Sequence, residues 1–180
     1  MEKRLKITGK LRKIAIIGPE CTGKTTLSKQ LAEHFGTIWI EEFARVYIEN
    51  LTRKYTYKDV ELIARYQKDQ IHKSYEKAYG IIFFDTDLII TKVWFDIVYK
   101  KVPSWLDKAI NKSGFDLYLL CNTDIPWEAD NVRENGGQMR EILFNNYKHE
   151  LDSRQFSYRI IKGTGDERFL NAVSFVNSEK

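Results

Sequence analysis

Cysteine and histidine are scarce in this chain of 180 residues. The two cysteines, Cys21 and Cys121, lie far apart, and the three histidines share no metal-ligand spacing with them. Disulfide frameworks and structural zinc sites need such residues in pairs or clusters. The sequence therefore predicts neither kind of site.

Long hydrophobic runs are also missing. The longest apolar stretches, such as IIFF at 81–84 and LYLL at 117–120, have the length of strands, whereas a membrane-spanning helix needs about 20 apolar residues. The basic N-terminus is not followed by the apolar segment of a signal peptide. We therefore expect a cytoplasmic protein that binds no membrane.

The net charge is only +4, and much of it is local, because six basic residues lie within the first thirteen positions. A solvated tail over residues 1–12 explains this cluster more simply than a nucleic-acid arm, so we expect no nucleic-acid partner. The length and the 43% of hydrophobic residues fit one domain over 13–180. The composition carries no signature of an oligomeric state.

Short apolar runs alternate with helical patterns along the chain. Several of the runs are apolar throughout, which is typical of strands covered by helices on both faces of a parallel sheet. The predicted fold is a three-layer α/β sandwich with a five-stranded parallel sheet. The expected strands are 13–17, 37–41, 81–85, 117–121 and 157–161, and the expected helices follow residue 23, cover 57–79, follow Asp87 with a break near Pro103, and cover 138–152.

The segment GPECTGKT at 18–25 has the P-loop pattern G-x-x-x-x-G-K-[ST] between a predicted strand and a predicted helix. In such a loop the backbone N–H groups and the helix N-terminus hold phosphate oxygens, the lysine reaches the β- and γ-phosphates, and the threonine hydroxyl ligates Mg²⁺. The sequence therefore predicts an ATP site formed by Gly18, Glu20, Cys21, Thr22, Gly23, Lys24, Thr25 and Thr26.

The segment FFDTD at 83–87 supplies two carboxylates at the end of a strand. Ligands of open α/β sheets bind at the carboxyl ends of the strands, so Asp85 is predicted to join Thr25 in holding Mg²⁺. Asp87 is suited either to a helix cap or to the acceptor site.

A P-loop alone leaves the reaction open, because GTPases, remodelling ATPases and small-molecule kinases share it. The segment CNTD at 121–124 lacks the lysine of the guanine-reading N-K-x-D motif, and 180 residues leave little room for a helical lid domain. We therefore favour a phosphotransferase. A nucleotide-dependent regulatory ATPase, or a kinase for another small acceptor, stays as the alternative.

A phosphotransferase needs an acceptor site and mobile cations for the developing charge. Glu42 and Arg45 follow the second predicted strand, and Gln67 lies on an apolar helix face where its amide needs partners. Arg133 and Arg140 flank a Gly-Gly pair, and we expect a lid over 127–140 that brings them to ATP.

The chain resembles the ribosylnicotinamide (nicotinamide riboside) kinases related to the kinase half of the bifunctional NadR proteins. The resemblance runs over about 13–173 and is carried by GPECTGKTT, EFAR at 42–45, Gln67, DTDLIITKVW at 85–94 and PWEADNVR at 126–133. It implies transfer of the ATP γ-phosphate to the 5′-hydroxyl of nicotinamide riboside, with Mg²⁺, in a nucleoside-kinase-like fold.

The resemblance also implies roles for individual residues. Either Glu42 or Asp87 would be the general base, and both alternatives stay open. Lys24 and Arg133 would act on the transferred group. The riboside site would contain Glu42, Arg45, Gln67, Asp87 and Asp130, while Arg133 and Arg140 would contact ATP.

Two departures from the family pattern bear on these expectations. Asn131 stands where many relatives carry glycine, so the resemblance does not fix the geometry of the lid. No H-x-G-H motif is present, and we expect dinucleotide synthesis to fall to another protein. A cationic pyridinium ring also favours an aromatic wall, for which Trp39, Tyr47, Trp94 and Trp127 are all candidates.

Overall fold

The computed structural model describes residues 11–74, 80–129 and 133–178. Most of the predicted basic tail, the predicted end of the helix over 57–79, and the lid residues Asp130 and Asn131 lie outside the described residues. In the ranges described, no helix combines the length and the apolar character needed to cross a membrane.

Strands and helices alternate along the chain, as the sequence predicts. The strands are β1 (Arg12–Ile17), β2 (Trp39–Ile40), β3 (Ile81–Asp85), β4 (Leu117–Cys121) and β5 (Tyr158–Ile161). The helices are α1 (Lys24–His34), α2 (Phe43–Glu49), α3 (Tyr57–Lys73), α4 (Leu88–Trp94, continued by a π-helical turn over Phe95–Tyr99), α5 (Leu106–Asn111), α6 (Gln138–Ser153) and α7 (Gly165–Ser178).

The five strands form one sheet in the order β2-β3-β1-β4-β5, and every neighbouring pair is parallel. In the centre of the sheet Ile14 of β1 lies between Phe83 of β3 and Leu117 of β4. The predicted five-stranded parallel sheet is confirmed. Because β1 has neighbours on both sides, the loop that leaves its carboxyl end lies at the crevice where such sheets bind ligands.

Alternate residues of the strands enter two separate hydrophobic cores, since side chains of a strand point to opposite faces in turn. Ile14 and Ile16 of β1 pack in the core under α1 and α7, whereas Ala15 and Ile17 pack in the core under α3 to α6. Both faces are therefore covered, which explains why residues 14–17 of β1 are all apolar.

The structure agrees with the predicted boundaries of β3 and β4, while β2 is shorter than the predicted strand over 37–41. The sequence did not predict α7, which begins at Gly165, separated by three residues from the end of β5, and packs on α1. The helical region after Asp87 ends near Lys100 and resumes as α5 after Pro103, as expected from the proline.

Candidate active site

The P-loop connects β1 to α1 and depends on two glycine positions. Gly18 has φ +150°, and a Cβ atom built on it would lie 2.8 Å from the Cys121 carbonyl oxygen. Gly23 precedes α1 in the left-handed conformation, with φ 74°. Both positions disfavour any side chain, the first by a backbone clash and the second by its φ angle. The sequence pattern therefore has a local steric cause.

Lys24 and Thr22 are held by a carbonyl group of the same loop. Lys24 Nζ donates a hydrogen bond to the Pro19 carbonyl oxygen at 2.9 Å, and Thr22 Oγ1 donates to the same oxygen at 2.8 Å. These contacts keep the ammonium group folded over the loop, on the side where phosphate oxygens bind a P-loop.

Thr25 and Asp85 meet across the crevice between β1 and β3. Thr25 Oγ1 donates a 2.5 Å hydrogen bond to Asp85 Oδ2, whereas Asp85 Oδ1 is buried without a hydrogen-bond partner among the residues described. Burial raises the pKa of Asp85, against the opposing effects of the Lys24 charge and the Thr25 hydrogen bond. A carboxylate oxygen of this kind is suited to a cation.

A cleft with a volume of about 300 Å³ opens beside the P-loop. Its lining combines the phosphate loop with an apolar and aromatic wall, which is the usual composition of a small-molecule site. Among the predicted site residues, those that line it are Gly18, Glu20, Cys21, Thr22, Gly23, Lys24, Thr25, Thr26, Glu42, Arg45 and Arg133.

Glu42 places a carboxylate in the cleft. It is the N-cap of α2, where its side chain makes no capping hydrogen bond, and it is half-buried. Burial raises the pKa of Glu42 to about 7, the nearby Lys24 charge opposes this rise, and the carboxylates of Asp85 and Glu20 add to it. Glu41 beside it is exposed and does not line the cleft. Arg45 lines the cleft and pairs with Glu49 at 2.9 Å.

Asp87 lies outside the cleft lining, in the core beneath α4. It is 1% exposed and caps α4, because Asp87 Oδ1 accepts a hydrogen bond from the Ile89 N–H at 2.9 Å. The Tyr118 hydroxyl donates to Asp87 Oδ2 at 3.2 Å. Burial raises the pKa of Asp87 to about 7, against these hydrogen bonds. Of the two suggested bases, only Glu42 faces the cleft.

Gln67 is buried on α3 and its amide group has two protein partners. Gln67 Nε2 donates to Thr86 Oγ1 at 3.3 Å, and Thr91 Oγ1 donates to Gln67 Oε1 at 2.5 Å. Both threonines belong to the segment that carries Asp85 and α4. Gln67 therefore joins α3 to the floor of the site, and it does not line the cleft.

The part of the predicted lid over 127–140 that precedes α6 contacts both sides of the cleft. Glu20 accepts hydrogen bonds from the N–H and the side-chain amide of Asn135, each at 2.9 Å, and the Tyr55 hydroxyl donates to Glu134 at 3.0 Å. Arg133 Nη1 donates to the Glu128 carbonyl oxygen at 2.6 Å. These bonds join the lid to the P-loop and to the residues before α3.

Arg140 of α6 is buried below this lid. Its Nη2 donates to the carbonyl oxygens of Cys21 at 3.2 Å and Ile125 at 2.8 Å. Arg140 does not line the cleft, so in this arrangement it supports the P-loop from behind.

Of the four suggested aromatic residues, only Trp94 lines the cleft. Tyr55, which was not among them, lies edge-on to Trp94 with ring centroids 4.9 Å apart and lines the same cleft. Trp39 packs under Lys29, the Tyr47 hydroxyl donates to Asp59, and Trp127 lies against Gly136. The wall of the cleft is therefore aromatic on the side of α4.

Sequence reasoning did not identify Arg168, a 4% exposed arginine of α7. Its guanidinium donates to Asp124 at 2.8 Å, to the Gly163 carbonyl oxygen at 2.8 Å and to the Thr22 carbonyl oxygen at 2.7 Å. It thus ties the P-loop to the loop after β5. The only available signal was the acidic residue in CNTD, whose partner lies 44 residues away in the sequence.

Comparison with known proteins identifies relatives over nearly the whole chain. The family model described as an AAA domain matches residues 13–168. The trifunctional NAD biosynthesis/regulator protein NadR of Escherichia coli (strain K12) is 28% identical over 174 residues, which span 92% of this chain and 42% of that protein. The chain thus covers less than half the length of this curated relative.

Two solved structures of NadR protein have the same fold. The complex with NAD and AMP-PNP has a TM-score of 0.76 at 23% identity, covering 93% of this chain and 49% of that one. The complex with NR has a TM-score of 0.74 at 24% identity, covering 93% and 51%. The resemblance to NadR that the sequence motifs indicate is confirmed.

Proposed function

We propose that this protein phosphorylates nicotinamide riboside with ATP. The chain belongs to the AAA domain family, and its cleft combines a P-loop with a carboxylate and an aromatic wall. The product would be nicotinamide mononucleotide. The observation that carries the proposal is the position of Glu42 in the cleft that Lys24, Thr25, Trp94 and Tyr55 also line. The likeness to NadR proteins supports the choice of acceptor.

ATP binding rests on the P-loop. Its backbone N–H groups and the N-terminus of α1 would hold the β- and γ-phosphates, and Lys24 would leave the Pro19 carbonyl oxygen to reach them. Arg133 lines the cleft on the lid side, where it would neutralise charge on the transferred group. Asp130 stays a predicted member of the acceptor site.

The residues present fit a magnesium ion. Thr25 Oγ1 lies beside Asp85, and Asp85 Oδ1 has no other partner in the described part of the chain. The described residues hold no group of three or more metal-binding side chains, but a P-loop needs only a hydroxyl and one carboxylate besides phosphates and water. When bound, magnesium would neutralise charge on the β- and γ-phosphates.

Glu42 is the residue we propose as general base. Its raised pKa, about 7, makes it a stronger base than an ordinary carboxylate, and near pH 7 much of it is ionised and able to accept a proton. The acceptor hydroxyl oxygen would bond to the γ-phosphorus while the bond from that phosphorus to the β,γ-bridging oxygen breaks. The hydroxyl proton passes to Glu42, and ADP leaves.

The pyridinium ring of the acceptor is a cation, and aromatic rings attract cations. Trp94 and Tyr55 present two rings on one wall of the cleft. A riboside whose ring packs there would direct its hydroxyl toward the P-loop side, where Glu42 lies. Asp87 and Gln67 would act from behind this wall by fixing α4 and the strand end before it.

A nucleoside panel with MgATP tests the proposal. We expect phosphorylation of nicotinamide riboside, its loss in Lys24→Ala, and its retention in Lys29→Ala, a matched change on the exposed face of α1. If only a different nucleoside is phosphorylated, nicotinamide riboside is refuted as the acceptor, while the assignment of kinase activity stands. Slow ATP hydrolysis without transfer to any acceptor would favour the regulatory ATPase.

A further inference from the structure

A second cavity, with a volume of about 660 Å³, lies between α3 and α5 near the amino ends of β1 and β4. It shares no lining residue with the cleft at the P-loop. The P-loop follows the carboxyl end of β1, whereas Lys13 at the start of the same strand lines the second cavity. The two cavities therefore lie toward opposite ends of the sheet.

The lining of this cavity is strongly basic. Five lysine or arginine side chains face it, together with His72 and a single carboxylate, Asp69. Of these cations, Arg65 is paired with Glu61 at 2.6 Å, and Lys13 is buried and donates to the Ser113 carbonyl oxygen. The other three are Lys68, Lys108 and Lys112.

These three lysines are exposed and make no ion pair within the part of the chain that the structure describes. Like charges that share one concave surface repel each other, and a bound anion relieves the repulsion. A multiply charged anion, such as a pyrophosphate group, suits three neighbouring ammonium groups better than a single carboxylate does.

Beside the buried pair Lys13 and Ser113, the cavity lining also contains apolar and aromatic side chains. Ile71 and Leu88 are buried at its floor, and the half-buried ring of Trp105 forms one side. The Arg65 guanidinium lies 4.8 Å and the Lys68 ammonium 5.8 Å from the centroid of that ring. A ligand that fills this space needs a flat apolar part beside its negative charges.

We propose that this cavity binds a nucleotide, whose phosphates contact Lys68, Lys108 and Lys112 and whose base packs beside Trp105. Its volume lies within the usual range for small-molecule sites, about 300–1,000 Å³. A single concave site of this volume favours a small ligand over a nucleic-acid strand, which needs an extended basic groove. This site does not depend on the acceptor proposed for the front cleft.

Calorimetric titration with ADP, in saturating Mg²⁺ and AMP-PNP to fill the P-loop, tests the site. We expect a second binding event in the wild type. The double variant Lys68→Glu/Lys112→Glu should weaken this binding about a hundredfold, because it removes two charge-assisted contacts and each is worth roughly a factor of ten in affinity. Lys58→Glu makes one such charge reversal on α3 outside the cavity, half the charge change of the double variant, and should leave the second binding event unchanged.

Two further probes separate the parts of the ligand. Pyrophosphate should bind more weakly than ADP, and Trp105→Leu should remove that difference while the lysines still bind pyrophosphate. Equal ADP affinity in the wild type and the double lysine variant would overturn the site. Equal affinity of the wild type for ADP and pyrophosphate would overturn the claim that the ligand is a nucleotide. ADP that displaces AMP-PNP from the P-loop contributes the same heat in all variants. The differences between variants therefore report binding in the second cavity.

Discussion

Replacing Glu42 with glutamine removes a carboxyl group whose pKa is raised from 4.5 to about 7, chiefly by burial. A raised pKa means that the folded chain binds the proton more tightly than the unfolded chain, so the stability that Glu42 contributes falls as the pH rises from about 4.5 to about 7. Above that range the half-buried ionised carboxylate destabilises the fold. Glutamine keeps the shape of the side chain without this charge.

The magnitude follows from the pKa. One pKa unit corresponds to about 1.36 kcal/mol, so a rise from 4.5 to about 7 corresponds to at most about 3 kcal/mol. Glu42→Gln should therefore raise the free energy of unfolding by up to about 3 kcal/mol at pH 8 and by almost nothing at pH 4. Urea unfolding at the two pH values measures this difference.

Activity should change in the opposite direction. Loss of a general base lowers the rate by about 10² to 10⁴ fold, so Glu42→Gln should be more stable and much less active at pH 8. In the wild type, kcat/KM for the riboside should fall below a pH of about 7 as Glu42 takes up its proton. The variant should lack this acidic limb.

Glu41→Gln is the matched control, because it removes the adjacent carboxylate, which is exposed and outside the cleft. We expect it to keep both the pH profile and most of the activity. A Glu42→Gln variant with normal kcat/KM, or with an unchanged acidic limb, would refute the assignment of Glu42 as base. Equal effects of the two substitutions would show that only the net charge of the region matters.

Changes at three other residues have defined outcomes. Asp87→Asn keeps an acceptor for the Ile89 N–H and should retain phosphorylation of the riboside. Asp87→Ala removes this acceptor and should lower the free energy of unfolding by about 1 kcal/mol. A folded but inactive Asp87→Asn variant would identify Asp87 as the base. Arg168→Ala should lower the free energy of unfolding in urea by about 3 kcal/mol, since it removes the donor to three carbonyl groups and the charged partner of Asp124, which keeps the Gly163 N–H; an unchanged midpoint would contradict this. Iodoacetamide should modify the cleft residue Cys21 and inhibit the kinase activity, and MgATP should protect against both effects. Peptide mapping should find the buried Cys121 unmodified. Inhibition that MgATP does not prevent would argue against a position of Cys21 at the ATP site.

Much of the fold was predictable because its signals are local. The continuous apolar runs at β3 and β4 are long enough to identify buried parallel strands, and Pro103 marks the break before α5. The helix α7 was missed because it starts in a Gly-Thr-Gly segment, where turn residues hide the start of the apolar pattern. β2 pairs over only two residues, a length that no sequence pattern specifies.

The P-loop was determined by the sequence alone, because its glycines, lysine and threonine act through the backbone of one short segment. The pairing of Thr25 with Asp85 followed from the parallel sheet, which brings the ends of β1 and β3 together. The sequence could not separate Glu42 from Asp87, since both are acids just after a strand. Only the tertiary structure shows that Asp87 is buried in the core beneath α4 and that Glu42 lines the cleft. Burial and hydrogen-bond partners depend on packing between segments that are distant in the sequence.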